Sequence, residues 1–244
     1  METERAAPVL SYVTGTVDRP EGLARLIASL AKHTPFPWEA RVGDASESGY
    51  ARNHEFPLGR VIVDRQQPRP TMVQTYDRLF RACAGAWVLW LNDDAEVMPG
   101  APAAALRFME ANPEVGCGAL YYQEGLGSVW RVNEYKGMVY ANFGILPREF
   151  GDRIGWFGTE LASYGCDNRI SFETLLAGKG VVGIPDARVV HHVDANPRKE
   201  RQSREYRPHA SAWLESAYGR KLTAMRAVHD RFARLNPCGN VLER

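Results

Sequence analysis

The segment Ala86-Trp-Val-Leu-Trp-Leu91 constrains this chain most: six consecutive apolar residues without polar alternation, stopped at once by Asn92-Asp93-Asp94. A strand with one wet face alternates in polarity. A continuous run closed by a polar turn therefore predicts a central parallel strand covered on both faces. Such a strand demands helices above and below it. Open α/β sheets place their ligand crevice at the carboxyl ends of the strands, which is where the two aspartates stand. As the longest apolar run, it is also far short of the ~20 residues a membrane-spanning helix needs.

The flanking sequence supplies the layers. Residues 9–13, 39–42 and 60–63 read as further strands. Pro20 sits where a helix takes its first residue, with Leu23, Leu26, Ile27 and Leu30 on one face. Thr71 and Gln74 form a capping-box signature ahead of Val73, Tyr76, Phe80 and Cys83. A helix over 101–110 leads to a strand over 115–122. The Gly-, Tyr- and Trp-rich stretch 123–145 reads as hairpin or loop. A helix over 167–176 closed by Gly178 precedes two strands, 181–184 and 187–191.

Composition narrows the function classes. The 244 residues, 45% hydrophobic and 24% charged, suit one soluble domain, or one domain with an appendage. Thirty basic against 29 acidic side chains leave a net +1, with no global field to draw in a nucleic acid. The four cysteines form no CxxC, which argues against zinc or redox chemistry. The amino terminus has no apolar secretory core, so a cytoplasmic location is expected. GxxxxGK[ST], HExxH and GxSxG are absent, and Gly125-Leu-Gly-Ser-Val-Trp130 lacks the third glycine of a dinucleotide fingerprint.

The near-neutrality hides an asymmetry. Residues 197–235 carry ten Arg and Lys against four Asp and Glu, a local +6 that leaves −5 for the rest. Apolar residues there keep helical spacing, which predicts a basic amphipathic helix or helix pair. Its stripe would pack on the main body or on a second copy, giving a homodimer. Alternatively it makes a peripheral contact with the inner face of an anionic membrane.

Five sets of side chains have chemical potential, weighed against plain structural readings. Asp93 and Asp94 suit a hard divalent cation, or a polar turn ending a strand. His191 and His192 offer ring nitrogens, but neighbours on a strand face opposite ways, so at most one reaches the site. Asp167 opens a helix as a base or an N-cap. Asp44 follows the second strand, as a base or sugar acceptor or as a turn residue. Trp130, Tyr135, Trp156 and Phe157 are either stacking platforms or core.

The order of these features resembles the family 2 glycosyltransferases of the GT-A fold from Val9 to His192. Val9-Leu-Ser-Tyr-Val-Thr-Gly-Thr-Val-Asp-Arg-Pro-Glu-Gly-Leu23 is similar to the family's opening strand, loop and helix, and Trp38-Glu-Ala-Arg-Val-Gly-Asp-Ala-Ser46 to its second strand and acidic base-binding turn. Leu79 to Val97 resembles the helix, strand and DXD-type motif. Gly144 to Asp167 resembles the acceptor-side stretch leading to a Glu-Asp pair, and Gly178 to His191 the closing strands that end on histidine.

The resemblance implies an α/β fold with a mostly parallel central sheet, helices on both faces and a C-terminal helical tail. It implies a catalytic domain over 8–196, which leaves a tail over 1–7 and the basic helical extension over 197–244. Within the domain, 8–97 would bind the nucleotide sugar and 98–196 the acceptor. The implied activity is metal-dependent inverting transfer of a sugar from a nucleotide diphosphate donor to a saccharide or lipid-linked acceptor, with Mn²⁺ or Mg²⁺. Asp94 and His191 would hold the metal, Asp167 would be the catalytic base, and Thr14, Thr16, Asp44, Asn92 and Asp93 would contact the donor. Asn92 and Cys166 depart from the family's Asp and Glu, and Arg169 replaces a frequent acidic residue. These departures motivate a second reading, a catalytically silent sugar-nucleotide or glycan-binding module. A GT-A-like nucleotidyltransferase ranks third, because residues 14–19 carry a single glycine.

Overall fold

In the computed structural model, residues 6–125, 127–193, 197–235 and 241–242 are described, with the backbone alone for 197–203 and 242. Most of the expected 1–7 tail and the end of the 197–244 extension lie outside them. The first half is built as βα repeats: β1 (Leu10–Thr16), α1 (Pro20–His33), β2 (Trp38–Asp44), the short β3 (His54–Glu55), β4 (Gly59–Arg65), α2 (Met72–Ala82) and β5 (Trp87–Trp90). The Thr71 capping box forms: the Thr71 hydroxyl accepts from the Gln74 amide at 3.2 Å, and the Gln74 side chain accepts from the Thr71 amide at 2.9 Å. β4, β2, β1 and β5 pair in parallel. Val88, Leu89 and Trp90 are all buried, as the unbroken apolar run requires.

The second half completes the sheet. β6 (Ala95–Val97) follows the Asn92-Asp93-Asp94 turn, then α3 (Ala101–Ala111), β7 (Val115–Glu124), β8 (Trp130–Arg131), β9 (Asn133–Tyr135), β10 (Met138–Tyr140), β11 (Gly144–Pro147) and α4 (Arg148–Ile154). The stretch expected as hairpin or loop thus includes the β9–β10 hairpin. Lys136 and Gly137, at φ 50° and 73°, make the left-handed two-residue turn that matches strand twist. β11 lies antiparallel between β5 and β7.

α5 (Cys166–Leu176) then leads to β12 (Gly180–His191), one strand where the sequence suggests two. Pro185 accounts for the difference. It cannot donate to a ladder, so the pairing with β7 slips between Ile184 and Arg188 while the strand runs on. The end of β12 pairs antiparallel with β6, so both halves of the domain share one sheet.

α1 and α3 pack on one face of the sheet, and α2 and α5 on the other. The tail forms α6 (Pro197–Tyr218) and α7 (Leu222–Arg231), ahead of the edge strand β13 (Val241–Leu242). The tail's apolar stripe is taken up by the body: Ala210, Leu214, Tyr218 and Met225 are buried in the same cluster as α5. Among the described residues, no helix is long and apolar enough to cross a membrane. Trp130, Trp156 and Phe157 are buried, with Trp156 stacked on Phe80 at 4.5 Å between ring centroids, and Tyr135 is half-buried against Phe172. All four pack into the core cluster, although Phe157 also borders the cleft.

Candidate functional site

A cleft of about 610 Å³ opens at the carboxyl ends of β1, β2 and β5. Thr16, Asn92, Asp93, Asp94 and Asp167, all singled out in the sequence, line it. Thr14 and Asp44 are buried outside the lining, and His191 stands behind Asp94.

One corner of the cleft is a closed charge network. Thr16 Oγ1 donates to Asp93 Oδ2 at 2.8 Å and also meets the Tyr50 hydroxyl. Arg19 Nη1 reaches Asp93 Oδ1 at 3.0 Å and Asp94 Oδ2 at 2.9 Å, bridging the adjacent carboxylates. The other oxygen of Asp94 lies 3.1 Å from His191 Nε2. His192 points the opposite way, its Nε2 2.9 Å from Glu96, as strand alternation requires. Desolvation pushes the Asp93 carboxyl up to about 6, against the pull of Arg19 and Thr16.

Local backbone geometry puts Arg19 there. Asp18 adopts φ 54°, a left-handed conformation unusual for a residue with a side chain, and its amide donates to Ser46 Oγ at 2.9 Å. The Arg19 amide donates to the Tyr50 hydroxyl at 3.1 Å, and Pro20 then starts α1. A Cβ on Gly22 would lie 2.9 Å from the Asp93 carbonyl oxygen, so only glycine lets the first turn of α1 settle on that backbone. The helix start therefore holds the guanidinium over the two aspartates.

Asp44 holds the neighbouring loop. Its oxygens accept from the Ser46 amide at 2.9 Å, the Ala51 amide at 3.2 Å and Arg65 Nη1 at 2.9 Å. Burial raises its carboxyl, but the bonds from Ser46 and Ala51 and the charge of Arg65 prevail and leave it below the ordinary value.

The opposite wall has a different character. Gly165, at φ 87°, is the N-cap of α5, so Asp167 sits inside the first turn and not at the cap. Asp167 keeps part of its surface open to the cleft yet is deeply enclosed. Desolvation pushes its carboxyl up to about 6, opposed by the Asn168 amide at 3.0 Å and by the charge of Arg207. Burial pushes the Cys166 thiol well up, leaving a neutral apolar side chain beside Asp167. Arg169 is structural: it donates to the Trp156 carbonyl at 2.8 Å and pairs with Glu160 at 3.3 Å, fastening the preceding loop.

The lining residues that the sequence does not single out include Arg19, Arg69, Asn142, Glu205 and Tyr206. The charge of Arg19 beside a predicted strand-to-helix loop was the only available signal. Glu205 and Tyr206 come from α6, where helical periodicity marks the packed stripe without saying which of its residues border the cleft.

The residues present fit a cation shared with a ligand. Among the described residues no group of three or more His, Cys, Asp or Glu converges. Asp94 and His191 nevertheless offer one carboxylate and one imidazole at a buried corner beside the cleft. Two protein donors suit an ion that takes its remaining ligands from phosphate oxygens and water.

Residues 11–160 match the family model described as Glycosyl transferase family 2. The chain belongs to this family. As a family 2 member it is 26% identical over 257 residues to the O-antigen biosynthesis protein RfbC of Myxococcus xanthus, a match covering 87% of this chain and 19% of that protein. The chain thus spans about a fifth of this relative's length.

Solved structures share the fold. The mannosyltransferase PcManGT from Pyrobaculum calidifontis, in complex with GDP-Man and Mn²⁺, superposes with a TM-score of 0.62 at 16% identity, covering 95% of this chain and 78% of that one. GalNAc-T7 with UDP, GalNAc and Mn²⁺ gives 0.61 at 17% identity over 78% of this chain and 45% of that one. These likenesses establish the GT-A architecture expected from the sequence.

Proposed function

We propose that this family 2 protein transfers a sugar from a nucleotide diphosphate donor to a hydroxyl of a saccharide or lipid-linked acceptor, with inversion at the anomeric carbon. One observation carries the reading: a single cleft is bordered on one side by a buried carboxylate, backed by an imidazole and suited to a cation, and on the other by an enclosed carboxylate with a raised pKa. The donor's nucleoside would lie along the ends of β1 and β2, with Thr16, Asn92 and Asp93 at its diphosphate. Thr14 and Asp44 would act from beneath by holding the strand end and the 45–51 loop.

Asp94 and His191 would hold Mn²⁺ or Mg²⁺, which when bound neutralises charge on the departing diphosphate. Asp167 accepts the acceptor's hydroxyl proton as that oxygen bonds to the anomeric carbon. The bond from that carbon to the diphosphate breaks, and the nucleoside diphosphate leaves with the electron pair. A base with a pKa near 6 is largely ionised at neutral pH while remaining a stronger base than an exposed aspartate. The neutral Cys166 beside it adds no competing charge.

A panel of nucleotide sugars tested for thermal stabilisation with and without Mn²⁺ checks this reading, because a ligand bound only by the folded state raises the melting temperature. At least one donor should stabilise the protein in a Mn²⁺-dependent way. Absence of stabilisation across UDP-, GDP- and dTDP-sugars overturns the reading. Binding without transfer to any acceptor, and without donor hydrolysis, leaves a silent binding module.

A further inference from the structure

We infer that Arg19 is a mobile counter-cation: in the donor-free protein it occupies the Asp93–Asp94 pair and opposes binding of a free divalent ion, and it passes to the diphosphate when donor and cation arrive together. The inference rests on the proposed donor site.

The geometry is specific. One nitrogen, Nη1, contacts both carboxylates at 3.0 and 2.9 Å, so the guanidinium spans the two acidic side chains. Asp94, the residue assigned to the cation, is almost fully buried and gives one oxygen to Arg19 and faces His191 with the other. A divalent ion at Asp94 would therefore sit beside a fixed positive charge in a weakly screened corner, where like charges repel strongly. The same guanidinium keeps 18% of its side-chain surface exposed and lines the cleft, so phosphate oxygens can reach it. Guanidinium donates to phosphate oxygens as readily as to carboxylate oxygens, so the charge can pass from one anion to the other.

The support around Arg19 fixes its backbone and leaves its charge transferable. Its amide is held by Tyr50, the preceding residue is held left-handed against Ser46, and α1 is seated on the Asp93 backbone through Gly22. The guanidinium, by contrast, is ion-paired with the two carboxylates that a cation would claim. Donor and ion should then bind with positive coupling, since the diphosphate removes from the carboxylates the charge that repels the ion, and the coupling is reciprocal.

The test is calorimetric titration with Mn²⁺ alone, with a nucleoside diphosphate (UDP or GDP) alone, and with both, on the full chain and on Arg19→Gln. Arg19→Gln should bind Mn²⁺ alone about tenfold more tightly than the unaltered protein, and metal-free nucleoside diphosphate at least tenfold more weakly. The coupling between the two ligands should shrink accordingly. Unchanged or weaker Mn²⁺ binding in a folded Arg19→Gln overturns the inference. If the unaltered protein binds neither nucleoside diphosphate even with Mn²⁺, the donor-site reading itself falls. Should Arg19→Gln not fold, arginine side-chain NMR of the unaltered protein decides, with the Arg19 signal assigned from Arg19→Lys. That signal should move when nucleoside diphosphate and Mg²⁺ are added together and stay with Mg²⁺ alone; a signal that ignores the diphosphate overturns the inference.

Discussion

The two walls of the cleft solve opposite electrostatic problems. On the β1/β5 side, two adjacent buried carboxylates are tied to Thr16, Arg19 and His191, and every contact lies near 3 Å. On the α5 side, Asp167 is enclosed beside a neutral thiol, with Arg207 as the opposing charge. Arg207 itself rests over the Tyr164 ring at 5.0 Å. A dense ionic corner is suited to binding and releasing charge. A desolvated carboxylate is suited to taking a proton. The difference teaches that the proposed roles in substrate binding and proton transfer fall to separate environments, and substitutions should separate them.

The sharpest division comes from Asp167→Asn. Sugar transfer should fall at least ~1,000-fold while donor affinity stays within about twofold, read by product formation and calorimetry side by side. A parallel loss of donor binding would break the division between the walls. Asp94→Ala should do the reverse, weakening Mn²⁺-dependent nucleoside diphosphate binding about 100-fold without altering the Asp167 titration.

The pH behaviour sharpens the contrast further. The Asp167 carboxyl lies near 6 in the fold against an ordinary 3.8, so the native state binds more protons between those values. Its stabilising effect is complete below about pH 4 and is lost as pH rises through 6. Asp167→Asn should therefore be up to about 3 kcal/mol more stable than the unaltered protein at pH 8 and equal to it at pH 4, by denaturant titration. An advantage that persists at pH 4 would refute desolvation as the cause. The smallest effect is expected from Gly165→Ala. A Cβ at φ 87° costs about 1 kcal/mol in backbone strain and lies 3.3 Å from the Ala210 Cβ. It should quicken amide exchange in α6 while leaving the Mn²⁺ corner unchanged.

The layers of the fold were legible because their signals are local. An unbroken apolar run, a capping box and a proline at a helix start each depend on neighbours in sequence, and β5, α2 and α1 appear where those signals stand. The continuous β12 was not legible, since Pro185 reads as a terminator until a partner strand tolerates the slip. In the site, Asp94 and His191 were found through their order in the family pattern, because no spacing rule joins residues 97 positions apart in sequence. Arg19 was missed for the same reason: its partners lie 74 and 75 residues away. The aromatic residues could not be sorted into core and platform because burial is a property of the finished fold.

The end of β12 has a mechanical consequence. Ala95 faces His191 across the β6–β12 ladder, and the His192 amide donates to the Asp94 carbonyl at 2.8 Å. The two side chains meant to share an ion thus sit one rung apart on a single ladder, even though they come from opposite halves of the domain. A hinge opening between the halves would have to break these rungs before it could separate the pair. On the proposed function, a spent nucleotide would leave without this pair separating, the corner acting as a rivet.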